Sequence, residues 1–345
     1  MTAVYGKTMR KQIYIAYTGG TIGMQPSSQG YVPAAGFLAK TLASMPEFHR
    51  PEMPQFTLRE YDELMDSSDM SPANWQFIAD DIAANYHKFD GFIILHGTDT
   101  MAYTASMLSF MLQGLDKPVI LTGSQIPLVE LRSDALDNLT TALLLAGNYE
   151  IPEVCIYFDG RLLRGNRSSK VKSSGFDAFD SPNFPWLAHV GIDIELHQDL
   201  LLNESPRVHL IPTFDPEAVG VIQTYPGMPA RVVEAVLDSP ALRGLILQTY
   251  GAGNPPDADH AFIDCLQRAS ERGVAILNIT QCPHGAVNQG TYATGATLNR
   301  IGVVPGGDMT LEAAFTKTHY LLSQPLSVDA VRSALRQPLC GELSG

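Results

Sequence analysis

The sequence predicts an α/β protein, with a larger N-terminal domain on a mostly parallel sheet with flanking helices and a smaller C-terminal α/β domain. Three observations carry this. Short apolar runs rich in β-branched and aromatic residues recur without polar alternation, as strands buried on both faces of a parallel sheet require. Longer segments with helical spacing lie between them, giving the order strand, helix, strand, helix. The texture turns to Gly, Ser and Pro over 160–217 before the alternation resumes, which in a chain of 345 residues suits two domains rather than one core.

The N-terminal strands are "QIYIAY" (12–17), "GFIIL" (91–95), "PVILTG" (118–123) and "VCIYF" (154–158). In "SPANWQFIADDIAANY" (71–86), Ser71 suits an N-cap, and Pro72 the first helical position, where its missing N–H costs nothing. Trp75, Ile78, Ile82 and Tyr86 then fall at helical spacing. "MAYTASMLSFML" (101–112) reads as a helix capped by Asp99 or Thr100, with Met101, Met107 and Met111 as core packing. The Gly-, Ser- and Pro-rich stretch that follows reads as strand edge and connector. Strands resume at "VGVIQT" (219–224), "GLILQTYGAGN" (244–254) and "VAILNITQC" (274–282). Helical patterns lie near 228–237 and 258–271, and two helices close the chain at 308–323 and 327–336. The expected division is an N-terminal domain over 1–195, a linker over 196–218 and a C-terminal domain over 219–345.

Composition narrows the function. Hydrophobic residues make up 45% and charged residues 17%, as in a globular protein with a large core. A formal charge of -13 opposes sequence-independent binding to phosphate backbones or anionic lipid, so neither nucleic acid nor membrane is an expected partner. No apolar run approaches the ~20 residues that span a bilayer. Lys7, Arg10 and Lys11 precede "IYIAY", which is shorter than a secretory apolar region and lacks a small-residue cleavage site, so the expected location is cytoplasmic. Cys155, Cys265, Cys282 and Cys340 form no CxxC pair; buried free thiols are expected, with no zinc site.

In open parallel sheets ligands bind beyond the carboxyl ends of the strands. The first strand ends in "TGGTIG" (18–23), whose glycines let backbone approach a ligand closely. It matches neither GxGxxG nor the P-loop with its Lys, and its threonines could instead satisfy turn backbone groups. "HGTDT" (96–100) occupies the equivalent place after the strand at 91–95. Capping explains one of its polar residues. Thr98 and Asp99 at a helix N-terminus also favour an anionic group or a developing oxyanion, while the carboxylate of Asp99 calls for a cation on the ligand. A zwitterionic amino acid meets both conditions. Ser67, Ser68 and Asp69 in "LMDSSDM" read equally as a polar loop before the Ser71 cap. Lys170 lies in the loop "RGNRSSK", where a desolvated lysine near hydroxyls can serve as a base and an isolated one is simply solvated. His96, with no Ser or Cys elbow nearby, reads as structural.

At these residues the chain resembles the bacterial-type L-asparaginases, specifically their cytoplasmic type I branch. "AYTGGTIGM" and "ILHGTDTMAYTA" match the two active-site signatures of that family, in order and at the family's separation. Similarity continues through "MPEFHRPEMP", "MDSSDM", "GSQIPLVELRSD", "RGNRSSK", "GFDAF", "YGAGN", "TQC" and "YATG", leaving out only about the first ten residues.

The resemblance implies L-asparagine hydrolysis to L-aspartate and ammonia through an acyl-enzyme. Thr21 is then the nucleophile, activated by Tyr31 of the "GYVP" flap, beside Gly20. Thr98, Asp99 and Lys170 form the second catalytic group: Lys170 polarises Thr98 or a water, and Asp99 holds the α-ammonium. Ser67 and Ser68, with Asp69, bind the α-carboxylate end. A threonine hydroxyl is a poor nucleophile at its free pKa, which is why such partners must converge on it. The resemblance further implies no cofactor and a homotetramer of two intimate dimers, with Asn254 reaching across a subunit interface; alone, Asn254 in "GNPPD" reads as a turn residue.

Type I relatives that respond cooperatively to asparagine carry an effector site with an Arg after "LIL". Here that residue is Gln248, while Thr280 and Cys282 are kept. Gln cannot replace a bidentate guanidinium, so weak or absent activation is expected. Two other readings compete. The amidase subunit of an archaeal tRNA-dependent amidotransferase shares both signatures, and a silent amino-acid sensor could use the same scaffold, though it would not need two threonines and a lysine.

Overall fold

The computed structural model describes residues 10–28, 30–203, 208–209, 213–289 and 293–344. An eight-stranded sheet dominates the N-terminal part. From one edge its strands are Gln55–Glu60, Gln12–Tyr17, Gly91–Leu95, Val119–Thr122, Val154–Phe158, Arg161–Arg164, Ala188–Val190 and Ile194–Leu196. The first five run parallel and the last three are added antiparallel. Four of the five parallel strands are those read from apolar runs, and Gly91–Leu95, Val119–Thr122 and Val154–Phe158 are buried at every position.

The antiparallel additions fall within the Gly-, Ser- and Pro-rich stretch, where short, half-exposed strands such as Ile194–Leu196 leave no apolar run to read. The edge strand Gln55–Glu60 escapes the eye for the same reason: its residues alternate between exposed and half-buried. A two-stranded hairpin, Met24–Ser27 with Gly30–Pro33, also departs from the expected plan.

The C-terminal sheet has four parallel strands in chain order: Val219–Gln223, Gly244–Thr249, Ala275–Thr280 and Val304–Pro305. Its expected strands end earlier than read. "TYGAGN" beyond Gly244–Thr249 turns at Gly251 (φ 50°) and Gly253 (φ 105°), where Tyr250 and Asn254 bridge back to back. Helices Ala230–Leu237, His260–Glu271, Leu311–Leu322 and Val328–Leu335 sit where the periodicity placed them.

One core runs through both sheets. It joins Tyr14, Phe92 and Ile94 of the large sheet to Ile246 and Leu277 of the small one, by way of helices Met101–Met111 and Leu311–Leu322. Met101, Met107 and Met111 are fully buried in it. The final residues fold back onto the N-terminal part, where Arg167 donates to the Glu342 carbonyl at 3.1 Å and Asn166 to the Cys340 carbonyl at 2.9 Å. The thiols divide: Cys155 and Cys265 are buried as expected, but Cys340 is half-buried and Cys282 is exposed on a turn past the end of its strand.

Candidate active site

Three loops meet at the carboxyl end of the large sheet. The loop after Gln12–Tyr17 is fixed first: the Thr18 N–H and hydroxyl both donate to the Leu95 carbonyl, at 3.0 and 2.9 Å. Thr18 thereby does the backbone work foreseen for the threonines of "TGGT". Gly19 (φ 139°) and Gly20 (φ 91°) then follow, and a Cβ on Gly19 would lie 2.2 Å from the Met65 carbonyl oxygen. A Cβ on Gly20 would lie 2.5 Å from the Gly97 nitrogen. Only glycine allows both the positive φ and this contact, so the loops carrying Thr21, Ser67 and Thr98 lie against one another. A Cβ on Gly97 would in turn meet the Ser67 hydroxyl at 2.5 Å.

Thr21 opens the short 3-10 turn Thr21–Gly23 and is half-buried. Lys170, in a two-residue strand paired with Phe179–Asp180, reaches into the 96–100 loop. Its ammonium donates to the Thr98 hydroxyl at 2.8 Å and to the Asp99 carboxylate at 2.7 Å. The Lys170 side chain is 17% exposed and that of Asp99 63%, so the carboxylate end of this ion pair faces solvent and the lysine is mostly covered. The structure therefore brings Thr98, Asp99 and Lys170 together, and Gly20 and Ser67 beside them. Thr100 occupies the N-cap of Met101–Met111, yet its hydroxyl donates to the Ser67 carbonyl at 2.6 Å rather than capping the helix, locking two of the loops.

Ser67 is buried, whereas Ser68 and Asp69 are exposed. The Ser68 N–H and hydroxyl both donate to the Asp66 carboxylate, at 2.9 and 2.8 Å, and these bonds hold Asp66 below the ordinary carboxylate range. Tyr31 lies on the hairpin strand Gly30–Pro33 and is 49% exposed. Its hydroxyl is pushed above a tyrosine's ordinary value, by lost hydration first and then by hydrogen bonding to Glu130. Asn254 sits apart in this chain, in the turn past Gly244–Thr249, its backbone bonded both ways to Tyr250 at 2.8 and 3.1 Å. His96 is structural, as read. Burial lowers its pKa to about 4, and the neutral ring lies between the Gly97 carbonyl at 2.7 Å and the Thr104 hydroxyl at 3.0 Å.

Two further polar residues are given no role by the sequence, although Gln125 falls within the motif "GSQIPLVELRSD". Gln125, past Val119–Thr122, accepts from the Thr98 hydroxyl at 3.4 Å. Glu312, in the first turn of Leu311–Leu322, accepts from the Ser169 hydroxyl at 2.9 Å and so braces the strand that carries Lys170. Burial raises the pKa of Glu312. Each is a polar residue in a loop or helix start, indistinguishable by spacing from solvated ones.

The expected effector residues lie at the carboxyl end of the small sheet. The Gln248 carbonyl accepts from Thr224 N–H and hydroxyl at 3.0 and 2.9 Å and from the Gln281 side chain at 3.0 Å. The Thr280 hydroxyl accepts from the Cys282 N–H at 3.0 Å. Among the described residues no group of three or more His, Cys, Asp or Glu side chains is placed to hold a metal ion, and no helix is long and apolar enough to cross a membrane.

The family patterns described as "Asparaginase, N-terminal" and "Glutaminase/Asparaginase C-terminal domain" match residues 12–202 and 218–335. The chain belongs to the asparaginase family. It is 56% identical to L-asparaginase 1 of Escherichia coli (strain K12) over 340 residues, 97% of this chain and 98% of that one. The crystal structure of L-asparaginase I from Vibrio cholerae O1 biovar eltor superposes with a TM-score of 0.90 at 54% identity, covering 97% of this chain and 99% of that one. A glutamyl-tRNA(Gln) amidotransferase subunit of Aeropyrum pernix is 34% identical over 97% of this chain, which spans 80% of that protein.

Proposed function

We propose that this asparaginase hydrolyses L-asparagine to L-aspartate and ammonia through an acyl-enzyme on Thr21. The observation that carries the reading is the contact of the glycine-opened 18–21 loop with the 96–100 loop, where the Lys170 ammonium lies 2.8 Å from the Thr98 hydroxyl. The Thr21 oxygen attacks the side-chain amide carbon and its proton passes by way of Tyr31, carried in on the hairpin, to the leaving nitrogen. Ammonia departs as the C–N bond breaks. Water, giving its proton to the Lys170 amine while that amine donates an N–H to Thr98 Oγ1, then attacks the ester carbon, and the C–O bond to Thr21 breaks as the proton passes to the Thr21 oxygen.

Asp99 holds the substrate α-ammonium in place of part of its pairing with Lys170. Ser67 and Ser68 take the α-carboxylate; the Ser68 donors exchange the Asp66 carboxylate for it, with Gly20 and Asp69 lining the same loops. Backbone N–H groups near Thr98 stabilise the oxyanion. The chemistry needs no metal or organic cofactor.

The same reading makes the chain a cytoplasmic, type I enzyme assembled as a homotetramer, with Asn254 of a neighbouring subunit completing the pocket. Full-length similarity to L-asparaginase 1 supports this. Steady-state ammonia release from asparagine by the chain alone tests the activity, and light scattering the assembly. Release only beside a second protein would instead favour the amidotransferase reading, for which the likeness to the Aeropyrum pernix protein is the supporting observation.

A further inference from the structure

We propose that Gln125 is a positioning residue for this reaction, holding the Thr98 hydroxyl in the one orientation that keeps its oxygen on Lys170. The inference rests on the asparaginase reading and names a group which that reading does not use.

A hydroxyl has one proton. The Lys170 ammonium donates to Thr98 Oγ1 at 2.8 Å, so that oxygen accepts there and its own proton must go elsewhere. Gln125 Oε1, at 3.4 Å, is the acceptor it finds. The distance is long for a hydrogen bond, so the contact orients more than it binds.

What makes it informative is how rigidly the amide is held. Gln125 Nε2 donates to the Gly175 carbonyl at 2.9 Å and faces the Ser173 carbonyl at 3.5 Å. Flipping the amide would set oxygen against those two carbonyls, so Oε1 stays turned to Thr98. The backbone is clamped as well. The N–H groups of Gln125 and Ile126 donate to the Asp134 carboxylate at 3.0–3.1 Å, and Asn138 donates to the Gly123 carbonyl at 3.0 Å. A side chain so fixed on its far side, with its free oxygen on a reacting hydroxyl, is pre-organised for that hydroxyl. It also ties Thr98 to the segment just past Lys170, so both partners of the 2.8 Å contact are referenced to one amide.

The charged groups around Lys170 are Asp99 on the 96–100 loop, Lys172 paired with Asp177 on its own hairpin, Arg161 of the strand Arg161–Arg164 set against Asp177 and Asp180, and Glu312 of helix Leu311–Leu322, bonded to the neighbouring Ser169. Gln125 is the uncharged member of this surround, and a carboxylate in its place would add a negative charge beside the Thr98–Lys170 contact.

The test uses the full chain with Gln125→Met and Gln125→Glu, measuring kcat and KM for asparagine against pH together with the thermal midpoint. Gln125→Met keeps the volume and loses the acceptor; kcat is expected to fall on the order of tenfold with KM within about twofold and the midpoint within about 2 °C. Gln125→Glu is expected to move the rising limb of the kcat profile to higher pH, because it adds a negative charge beside the Thr98–Lys170 contact. Unchanged kcat in Gln125→Met overturns the proposal, as does an unmoved limb in Gln125→Glu. A fall in kcat that comes with raised KM and a midpoint several degrees lower also overturns it, since that is loop bracing alone. Wild type and Thr21→Ala run alongside test the asparaginase reading separately. The Thr98 rotamer in a crystal structure of Gln125→Met judges Gln125 without any activity: a second rotamer is expected, and a single unchanged one counts against the proposal.

Discussion

The two sheets end in similar chemistry and put it to different use. Both are parallel over their central strands, and both carry hydroxyl and amide residues just past their carboxyl ends. At the small sheet those groups satisfy one another: Thr224 and Gln281 bond the Gln248 carbonyl, Thr249 bonds Asn278 at 2.7 Å, and Thr280 is taken by the Cys282 backbone. At the large sheet glycines draw three loops together, and Lys170 from a separate two-residue strand bonds Thr98 and Asp99 of one of them. Hydroxyls past a strand are thus ambiguous until their partners are known. Self-satisfied ones close a sheet end; those facing a lysine and open backbone are positioned to react.

The comparison breaks most easily at Thr21. If the large-sheet edge is the reactive one, Thr21→Ala loses asparagine hydrolysis by on the order of 10⁴-fold or more, while Thr280→Ala at the other edge leaves ammonia release within about twofold. Residual Thr21→Ala activity within about tenfold of wild type would place the nucleophile elsewhere. Lys170→Met comes next. It keeps the stem and removes the charge, and about a 10³-fold loss in kcat is expected, the middle of the range for a general base. Ester-linked enzyme detected by mass spectrometry after mixing with asparagine would show that the first half-reaction survives; release of ammonia at the wild-type steady-state rate would remove Lys170 from the mechanism.

How much of this contrast could be read in the chain follows from the same physics. Gly91–Leu95 and Val154–Phe158 were legible to the residue, because strands buried on both faces leave continuous apolar runs. Thr98, Asp99 and Lys170 were legible as candidates from their place after strands, and the family resemblance added their roles. Gln125 and Glu312 were not, since their importance lies in partners 27 and 143 residues away, at Thr98 and Ser169. The antiparallel half of the large sheet was hidden too. Short edge strands such as Ala188–Val190 owe their pairing to neighbours rather than to any pattern of their own. Asp66, already bonded to both Ser68 donors, shows why a motif alone cannot tell a free binding group from an occupied one.

Acid tests whether the two regions stand as one unit. His96 beside the reactive edge and His319 on helix Leu311–Leu322 are both buried, and desolvation lowers each to about 4. The folded chain keeps these rings neutral, whereas the unfolded chain protonates them near 6.5. Stability from each is fully present above that value and is lost as pH falls from about 6.5 toward 4, on the order of 3 kcal/mol per ring as an upper figure. Because one core joins the sheets, a single denaturation transition whose midpoint drops through this window is expected by circular dichroism. Two separated transitions would show that the small sheet unfolds alone.

The smallest effect expected concerns the small-sheet edge as a regulator. The resemblance places an arginine at position 248 of relatives that respond cooperatively to asparagine, and a guanidinium can hold a carboxylate with two parallel charge-assisted bonds. Gln248 offers a neutral amide, its backbone carbonyl is bonded by Thr224 and Gln281, and the Thr280 hydroxyl accepts from the Cys282 N–H. A carboxylate arriving there would trade hydration for an uncharged partner, a poor exchange. Saturation with asparagine should therefore be hyperbolic, with Thr280→Ala superimposing on wild type after scaling. Gln248→Arg restores the charged fork at a site otherwise kept, and it is the variant in which curvature should emerge. A sigmoidal wild-type curve that Thr280→Ala straightens would mean the neutral edge still binds effector, and the contrast between a reactive and a silent sheet end would have to be redrawn.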